Sequence, residues 1–333
     1  MHMVIVKLIV RRLAAAAVLL LILSIITYAL LALPEGGPEK ALLGDRPPTP
    51  EVLAAIRAQY LLDKPFPVRY WHWFTQAITG DFGTSLVSGQ PVSTEIWTSF
   101  SHTLLIAVPA IVVGITLSLL HGILAGARRG TAVDSSISVL SLIMMSIPEF
   151  VVATLLILLF AIILPIFPAV VLQGPDATLG DLLPAVPLPA ITLIIAMAAY
   201  IIRAMRSSTI DGLTTEYATT ATLKGVPHRQ VLWRHVTPTV LLPVLPVISI
   251  NVAWLLGGVV VVESVFNYPG LGKLMIDSVS TRDLPVLQAI AVLSALVYVT
   301  VNLVADLLAL AVDPRQRTLH QPRQRRETKE VAA

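Results

Sequence analysis

The chain has 333 residues, of which 56% are hydrophobic and 13% charged, and its mean hydropathy is +0.82. That is too apolar for a water-soluble domain of this length and puts most of the chain in lipid. The absence of cysteine excludes disulfides, thiolate nucleophiles and cysteine-based metal sites, and the net charge of +3 comes without the basic, aromatic-interleaved stripe that nucleic acid requires.

Six apolar segments are long enough to cross a bilayer, over 13–33, 103–126, 137–164, 187–206, 239–262 and 285–311. None has the short alternation of a barrel strand, so the expected fold class is an all-α integral membrane protein with six transmembrane helices. The first run follows Lys7, Arg11 and Arg12 and exceeds the roughly 7–15 apolar residues of a signal peptide, so it reads as an uncleaved helix. From Pro34 to about Ser101 hydropathy falls and Pro34, Gly36, Gly37, Pro38, Pro47 and Pro48 gather, which predicts an extracytoplasmic helical insert. Within it Thr49 can cap a short helix that starts at Pro50 and carries Val52, Leu53, Ile56 and Tyr60 on one face. A second helical segment, Tyr70 to Ile78, places Trp71, Phe74 and Ile78 on one side. The pair suits packing on the outer mouth of the bundle, with direct substrate contact as the alternative.

Ala127 to Asp134 is long enough only for a turn, and the prolines and glycines between Pro165 and Pro189 predict an irregular outer loop. In Glu263-Ser264-Val265-Phe266-Asn267-Tyr268-Pro269-Gly270-Leu271-Gly272 the glycines and Pro269 break regularity, and the aromatics can seat the turn back into the bundle. With both termini inside, 16 of the 23 basic residues fall on the cytoplasmic side, as retention of positive charge requires. The basic tail from Arg315 to Lys329 suits anionic lipid or simply sets orientation.

One polar stretch lies between two long apolar segments: Glu216-Tyr217-Ala218-Thr219-Thr220-Ala221-Thr222-Leu223-Lys224-Gly225, followed by Pro227, His235 and Pro243. Helix-favouring residues ended by a glycine predict a short helix, a left-handed stop and a second helix. The spacing of Glu216, Ala218, Ala221 and Gly225 resembles the EAA loop of ABC-transporter permeases, with Tyr217 and Lys224 as in the peptide-importer branch. Leu61-Leu62-Asp63-Lys64-Pro65, Gly80-Asp81-Phe82-Gly83-Thr84-Ser85, Ser146-Ile147-Pro148-Glu149-Phe150, Val261 to Gly272, Thr281-Arg282-Asp283-Leu284-Pro285-Val286 and Asp313-Pro314-Arg315 are similar to that dipeptide/oligopeptide branch as well. Each motif is modest alone, and their shared order is specific.

The resemblance implies a MetI-like type I importer permease fold in a prokaryotic inner membrane. It divides the chain into a first segment and helix over 1–33, the insert over 34–101, the permease core over 102–312 with its coupling loop at 207–238, and a basic cytoplasmic tail over 313–333. It also implies partners: a second homologous permease, two ABC ATPase subunits, an extracytoplasmic solute-binding protein and membrane lipid, with no nucleic acid. The chain is expected to bind no cofactor and no metal and to have no catalytic residue, since ATP and magnesium belong to the ATPase subunits. Gly272-Lys273-Leu274 lacks the hydroxyl and the upstream glycine of a P-loop, and Val87-Ser88-Gly89-Gln90 is too short for an ABC signature. The family often carries Arg where this chain has Thr219 and Thr222, and Arg-Asn where it has Pro238-Thr239. The grip of this loop then rests on shape more than on ion pairing.

Ionisable residues inside spans are costly and mark functional candidates. In a continuous third helix Glu149 lies on the order of 18 Å from the inner end, beside the carbonyls freed by Pro148. With Ser146 and Asn251 it is a candidate for the substrate pathway, where a carboxylate would meet a peptide ammonium or a cation. The alternative is a hydrogen bond to a neighbouring helix, such as the one carrying Asn251, or to the other permease. Arg203 and Asp306 stand at similar depth and suggest a structural pair. His121 reads as a packed polar residue and His102 as interfacial. An ion-coupled secondary transporter titrating at Glu149 is the alternative function, and an intramembrane hydrolase built on Ser118 and His121 a minor one; no Gly-x-Ser-x-Gly or His-Glu-x-x-His pattern supports the latter.

Overall fold

Lipid leaves no partner for a bare amide or carbonyl, so an apolar run satisfies its backbone by coiling into helix. The computed structural model describes residues 2–30, 50, 54, 57, 61 and 63–312, and for 2–9, 12, 30, 256 and 305–312 only the backbone. In chain order the principal helices are α1 (His2–Leu30), α2 (Phe66–Ile78), α3 (Val92–Ala127), α4 (Ala132–Ser146), α5 (Glu149–Ile157), α6 (Pro187–Leu213), α7 (Glu216–Leu223), α8 (Leu245–Val265), α9 (Leu271–Thr281) and α10 (Leu284–Val312). Among the described residues the only β-type pairing is an isolated bridge between Thr84 and Pro91. The expected all-helical membrane class is what is found.

Three helices, α3, α6 and α10, are unbroken and apolar enough to cross a bilayer, and α1 contributes the shorter apolar stretch Leu13–Ala29. Two of the expected spans are broken. The third, expected to run continuously over 137–164, bends by 103° between α4 and α5. Ile147, forced extended by the following proline (φ −97°, ψ 123°), ends α4, and Pro148 becomes the cap residue of α5. Glu149 therefore opens a new helix instead of sitting inside an old one, and α5 continues as a π-helical turn over Leu158–Ile163. The fifth span, expected over 239–262, is bent by 42° near Leu241, where Pro238, Pro243 and Pro246 withdraw backbone donors.

Packing is tightest between α3 and α6. Gly114, Ser118, Gly122 and Gly126 recur every fourth residue of α3 and are all buried, forming a stripe of small side chains along one face. A Cβ on Gly122 would lie 2.6 Å from Met205 Cβ and 2.8 Å from the Ile202 carbonyl; one on Gly126 would lie 2.7 Å from Thr209 Cβ. The two backbones are thus in direct contact. At one end of this pair Arg206 of α6 grips Asp134 of α4 with two bonds, 2.5 and 2.8 Å, and Gly130 donates its amide to the same carboxylate at 3.0 Å.

The opposite end is closed by the 263–272 turn. Phe266 and Tyr268 are buried there, as the aromatics of that stretch predict. Glu263, fully buried, accepts from Thr103 Oγ1 at 2.6 Å and from the amides of Gly272 and Lys273 at 2.7 and 3.1 Å, while Thr103 accepts from the Leu271 amide at 2.8 Å. The carboxylate thereby caps the start of α9 and pins it to α3. His102 is buried in the same place, with its ring nitrogens 2.9 Å from the Pro269 carbonyl and 3.1 Å from that of Ala177. Two sequence motifs nearly 200 residues apart also meet: Asp283, buried, accepts from Ser85 Oγ at 2.5 Å and from the amides of Leu86 and Val87 at 3.3 Å.

In the insert, α2 starts four residues earlier than Tyr70 and packs on α1 through a different face from the one the sequence singled out. Tyr70 Oη is 2.8 Å from Ser24 Oγ, and Tyr28 stacks edge-on against Phe66 and Tyr70 at 5.6 Å, whereas Trp71 and Ile78 face away and are exposed. The short helix expected around Val52, Leu53, Ile56 and Tyr60, and the tail after 312, lie outside the described residues.

Candidate functional site

The polar stretch folds as its residues dictate. α7 runs Glu216–Leu223, and Gly225 takes φ +80°. The Val226 amide donates to the Ala221 carbonyl at 3.2 Å and the Gly225 amide to that of Thr222 at 3.0 Å, the paired bonds of a Schellman stop. A Cβ at 225 would meet no atom within 4 Å, so it is the backbone conformation, more than space, that calls for glycine there.

Ala218 is buried, and with the partly buried Ala221 and Val226 it packs on Val231, Leu232 and Val236 of the returning segment. Tyr217 Oη is 2.7 Å from Thr239 Oγ1, so one of the residues that departs from the resembled family fastens α7 to the approach of α8. Gly212 at the end of α6 abuts the same segment, where a Cβ would lie 2.8 Å from Val236 Cγ1. Thr219 and Thr222 donate to the Thr215 and Ala218 carbonyls of their own helix at 3.0 Å, leaving both hydroxyls engaged. Outward stand Glu216, in the first turn where the helix dipole favours an anion, Tyr217, Lys224 and Leu223, the last 83% exposed. Beside them a concavity of about 490 Å³ is lined by Pro227, Arg229, Gln230, Trp233 and Arg234. Leu223 and Trp233 were not singled out by the sequence; a lone leucine closing a polar helix, and a tryptophan beside an arginine, were the available signals.

Of the membrane-depth candidates, Glu149 leans on Gly258 of α8, where a Cβ would come within 2.8 Å of its Oε2. That oxygen is buried and has no hydrogen-bond partner. Asn251 lies on the same helix seven residues earlier, about 10 Å along the axis, and donates to the Val247 carbonyl at 2.8 Å. Ser146 is exposed at the end of α4, its hydroxyl bonded to the Leu142 carbonyl at 2.9 Å. Arg203 Nη1 lies 3.5 Å from Met145 Sδ, and the side chain of Asp306 is outside the described residues. The interhelical pair that is seen joins Asp134 and Arg206.

Nothing resembling a hydrolytic dyad forms from Ser118 and His121. The serine is buried and donates to the Gly114 carbonyl at 2.6 Å, while the histidine is exposed and bonds the Leu117 carbonyl. The Gly272 and Lys273 amides, the nearest approach to a phosphate cradle in sequence, are occupied by Glu263. Among the described residues no group of three His, Asp or Glu side chains is placed to hold a metal.

Broken and unbroken apolar helices around a glycine-contact pair, with a polar helix-turn presented at one end, define a polytopic membrane protein. Residues 118–318 match the family of binding-protein-dependent transport system inner membrane components, and residues 5–107 match the N-terminal region of such membrane components. The chain is 36% identical over 307 residues to a glutathione transport system permease protein of Salmonella typhimurium, covering 92% of this chain and 97% of that one. It is 34% identical over 309 residues to the protein of the same name from Escherichia coli, and 34% identical over 312 residues to a probable peptide ABC transporter permease protein of Sinorhizobium fredii, in each case covering 93% of this chain and 98% of the relative. The chain belongs to the binding-protein-dependent transport system inner membrane components, the permease subunits of ABC transporters.

Proposed function

We propose that the chain is one permease of an ATP-driven importer of peptides or glutathione, with both termini and the α7 turn in the cytosol. The names of its relatives support the substrate class, and the distribution of Lys and Arg supports the orientation. It works with a second homologous permease, two ATPase subunits that hold ATP and magnesium, and an extracytoplasmic solute-binding protein. The observation that carries this reading is α7 itself: Ala218, Ala221 and the Tyr217 hydroxyl lock it to the bundle, and its outer face of Glu216, Leu223 and Lys224, with the exposed part of the Tyr217 ring, is open to an ATPase groove.

Movement of a docked partner then has a defined route. α7 is fastened through Tyr217 and Thr239 to the segment that leads into α8, and that segment abuts the end of α6 through Val236 and Val240. α8 in turn carries Gly258 against Glu149 and Glu263 against α9. Nucleotide binding to the ATPases, favouring one arrangement of these helices over the other, supplies the free energy for alternating access.

The test is Gly225→Val in the assembled complex. A non-glycine side chain in the left-handed region costs about 1–2 kcal/mol, more for a β-branched one, and 1.4 kcal/mol is roughly tenfold in an equilibrium. ATP-driven uptake is expected to fall about tenfold with the complex still eluting as one species by size exclusion. Undiminished uptake by an intact complex would refute the assignment.

A further inference from the structure

A carboxylate inside a membrane protein is stabilised by hydrogen bonds, by a fixed cation, or by something the chain does not contain. Glu263, Asp283 and Asp134 each have their partners within the chain. Glu149 is different, because its Oε2 is buried and unpartnered.

Its surroundings are specific. Glu149 lines a small cleft together with Leu193, Ala196 and Met197 of α6 and Trp254, Leu255 and Gly258 of α8. No other side chain lining the cleft carries a formal charge. The space is about 10 Å³, enough for a water-sized head group and too small for a peptide side chain. Gly258 lets the carboxylate lie directly against α8, since any β-carbon there would press on it. Trp254 also lines the cleft, and an indole ring attracts cations and has no such use for anions. The cleft also sits at the 103° break between α4 and α5, and helix breaks at membrane depth are where transporters place substrate contacts.

We propose that Glu149, with Trp254 and Gly258, forms the subsite through which the permease recognises the free ammonium group of its substrate in transit. The assignment rests on the importer reading above and names the part of the substrate that this chain inspects. The carboxylate is the counter-ion, Gly258 is the gap in which that carboxylate sits, and the apolar lining of the cleft makes the pair strong by excluding water. A substrate whose amine is acylated carries no charge there and gains nothing from Glu149.

Two measurements test it. In the assembled complex in lipid nanodiscs, glutathione is expected to protect Glu149 from modification by dicyclohexylcarbodiimide, read by peptide mass mapping, and N-acetylated glutathione is not. Equal protection by both, or by neither, overturns the proposal whether or not the complex transports. In proteoliposomes with the binding protein, Glu149→Gln is expected to lower the uptake of glutathione relative to its N-acetylated form about tenfold, acting on KM, with Glu149→Asp restoring most of the preference. An unchanged ratio, or loss of the second permease from the purified Glu149→Gln complex, would show that the residue serves packing or assembly instead. Absence of ATP-driven uptake by the wild-type complex would count against the importer reading alone and leave the protection result to decide this one.

Discussion

Gly122→Leu is expected to abolish accumulation of folded protein in the membrane. A Cβ alone at this position would stand 2.6 Å from Met205 Cβ and 2.8 Å from a backbone carbonyl of α6, distances that no rotamer change relieves because neither atom belongs to the far end of a flexible side chain. The helices must separate, and with them goes the close approach at Gly126 along the same stripe. Overpacking of a tight interior costs about 1–3 kcal/mol for added methylenes, and a leucine adds several. Gly114→Ala is the internal control: its Cβ would meet the Met197 sulfur at 3.1 Å, an unbranched side chain able to move. Membrane-fraction yield and size-exclusion profile should rank wild type and Gly114→Ala close together, Gly122→Ala lower, and Gly122→Leu at background. A Gly122→Leu protein that accumulates and elutes like wild type would mean that the α3–α6 contact is not what holds the bundle.

Glu263→Ala is the second large effect. Removing the carboxylate strands the amides of Gly272 and Lys273 and the Thr103 hydroxyl in a buried place. Each unsatisfied donor costs about 1–3 kcal/mol, and breaking a buried charged network typically costs about 3–5 kcal/mol. The start of α9 is expected to come loose from α3, and thermal unfolding in detergent to move down by well over 5 °C. Glu263→Gln keeps the shape and an acceptor oxygen and should fall between. The cavity left in Glu263→Ala makes room for Gly270→Ala, whose Cβ otherwise clashes with this side chain, so the double substitution should be less damaging than the sum of the two single ones. Strict additivity would place the two residues in independent roles.

Much of this architecture was legible in the residues. Apolar length gave the helical membrane class, and Gly225 after Glu216–Leu223 gave the helix and its left-handed stop, because both signals are local. The break at Pro148 was harder to read. A proline in an apolar run is compatible with a kink inside a membrane helix or with a complete break, and only packing against α6 and α8 decides between them. Pairing over long separations was illegible: nothing in Gly83-Thr84-Ser85 announces that it will meet Asp283, and Arg206 looked like one more orienting charge until α4 brought Asp134 to it. The small-residue stripe of α3 was present at four-residue spacing and lay under a serine and histidine whose proximity drew attention to chemistry. On α2 the sequence picks out Trp71 and Ile78, but Ser24 of α1 bonds the Tyr70 hydroxyl and Tyr28 packs on its ring, so the face of Tyr70 is the one that docks.

The central claim is that α7 is the part of this chain that an ATPase subunit grips. The most direct measurement places a photo-reactive benzoylphenylalanine at Leu223 in the assembled complex, with a second at Val112, which is 60% exposed in the middle of α3. Irradiation is expected to join Leu223 to an ATPase subunit, with a yield that changes when ATP is bound, and to join Val112 to none. A complex that pumps while the Leu223 probe forms no adduct with the ATPase, in either nucleotide state, would contradict the account.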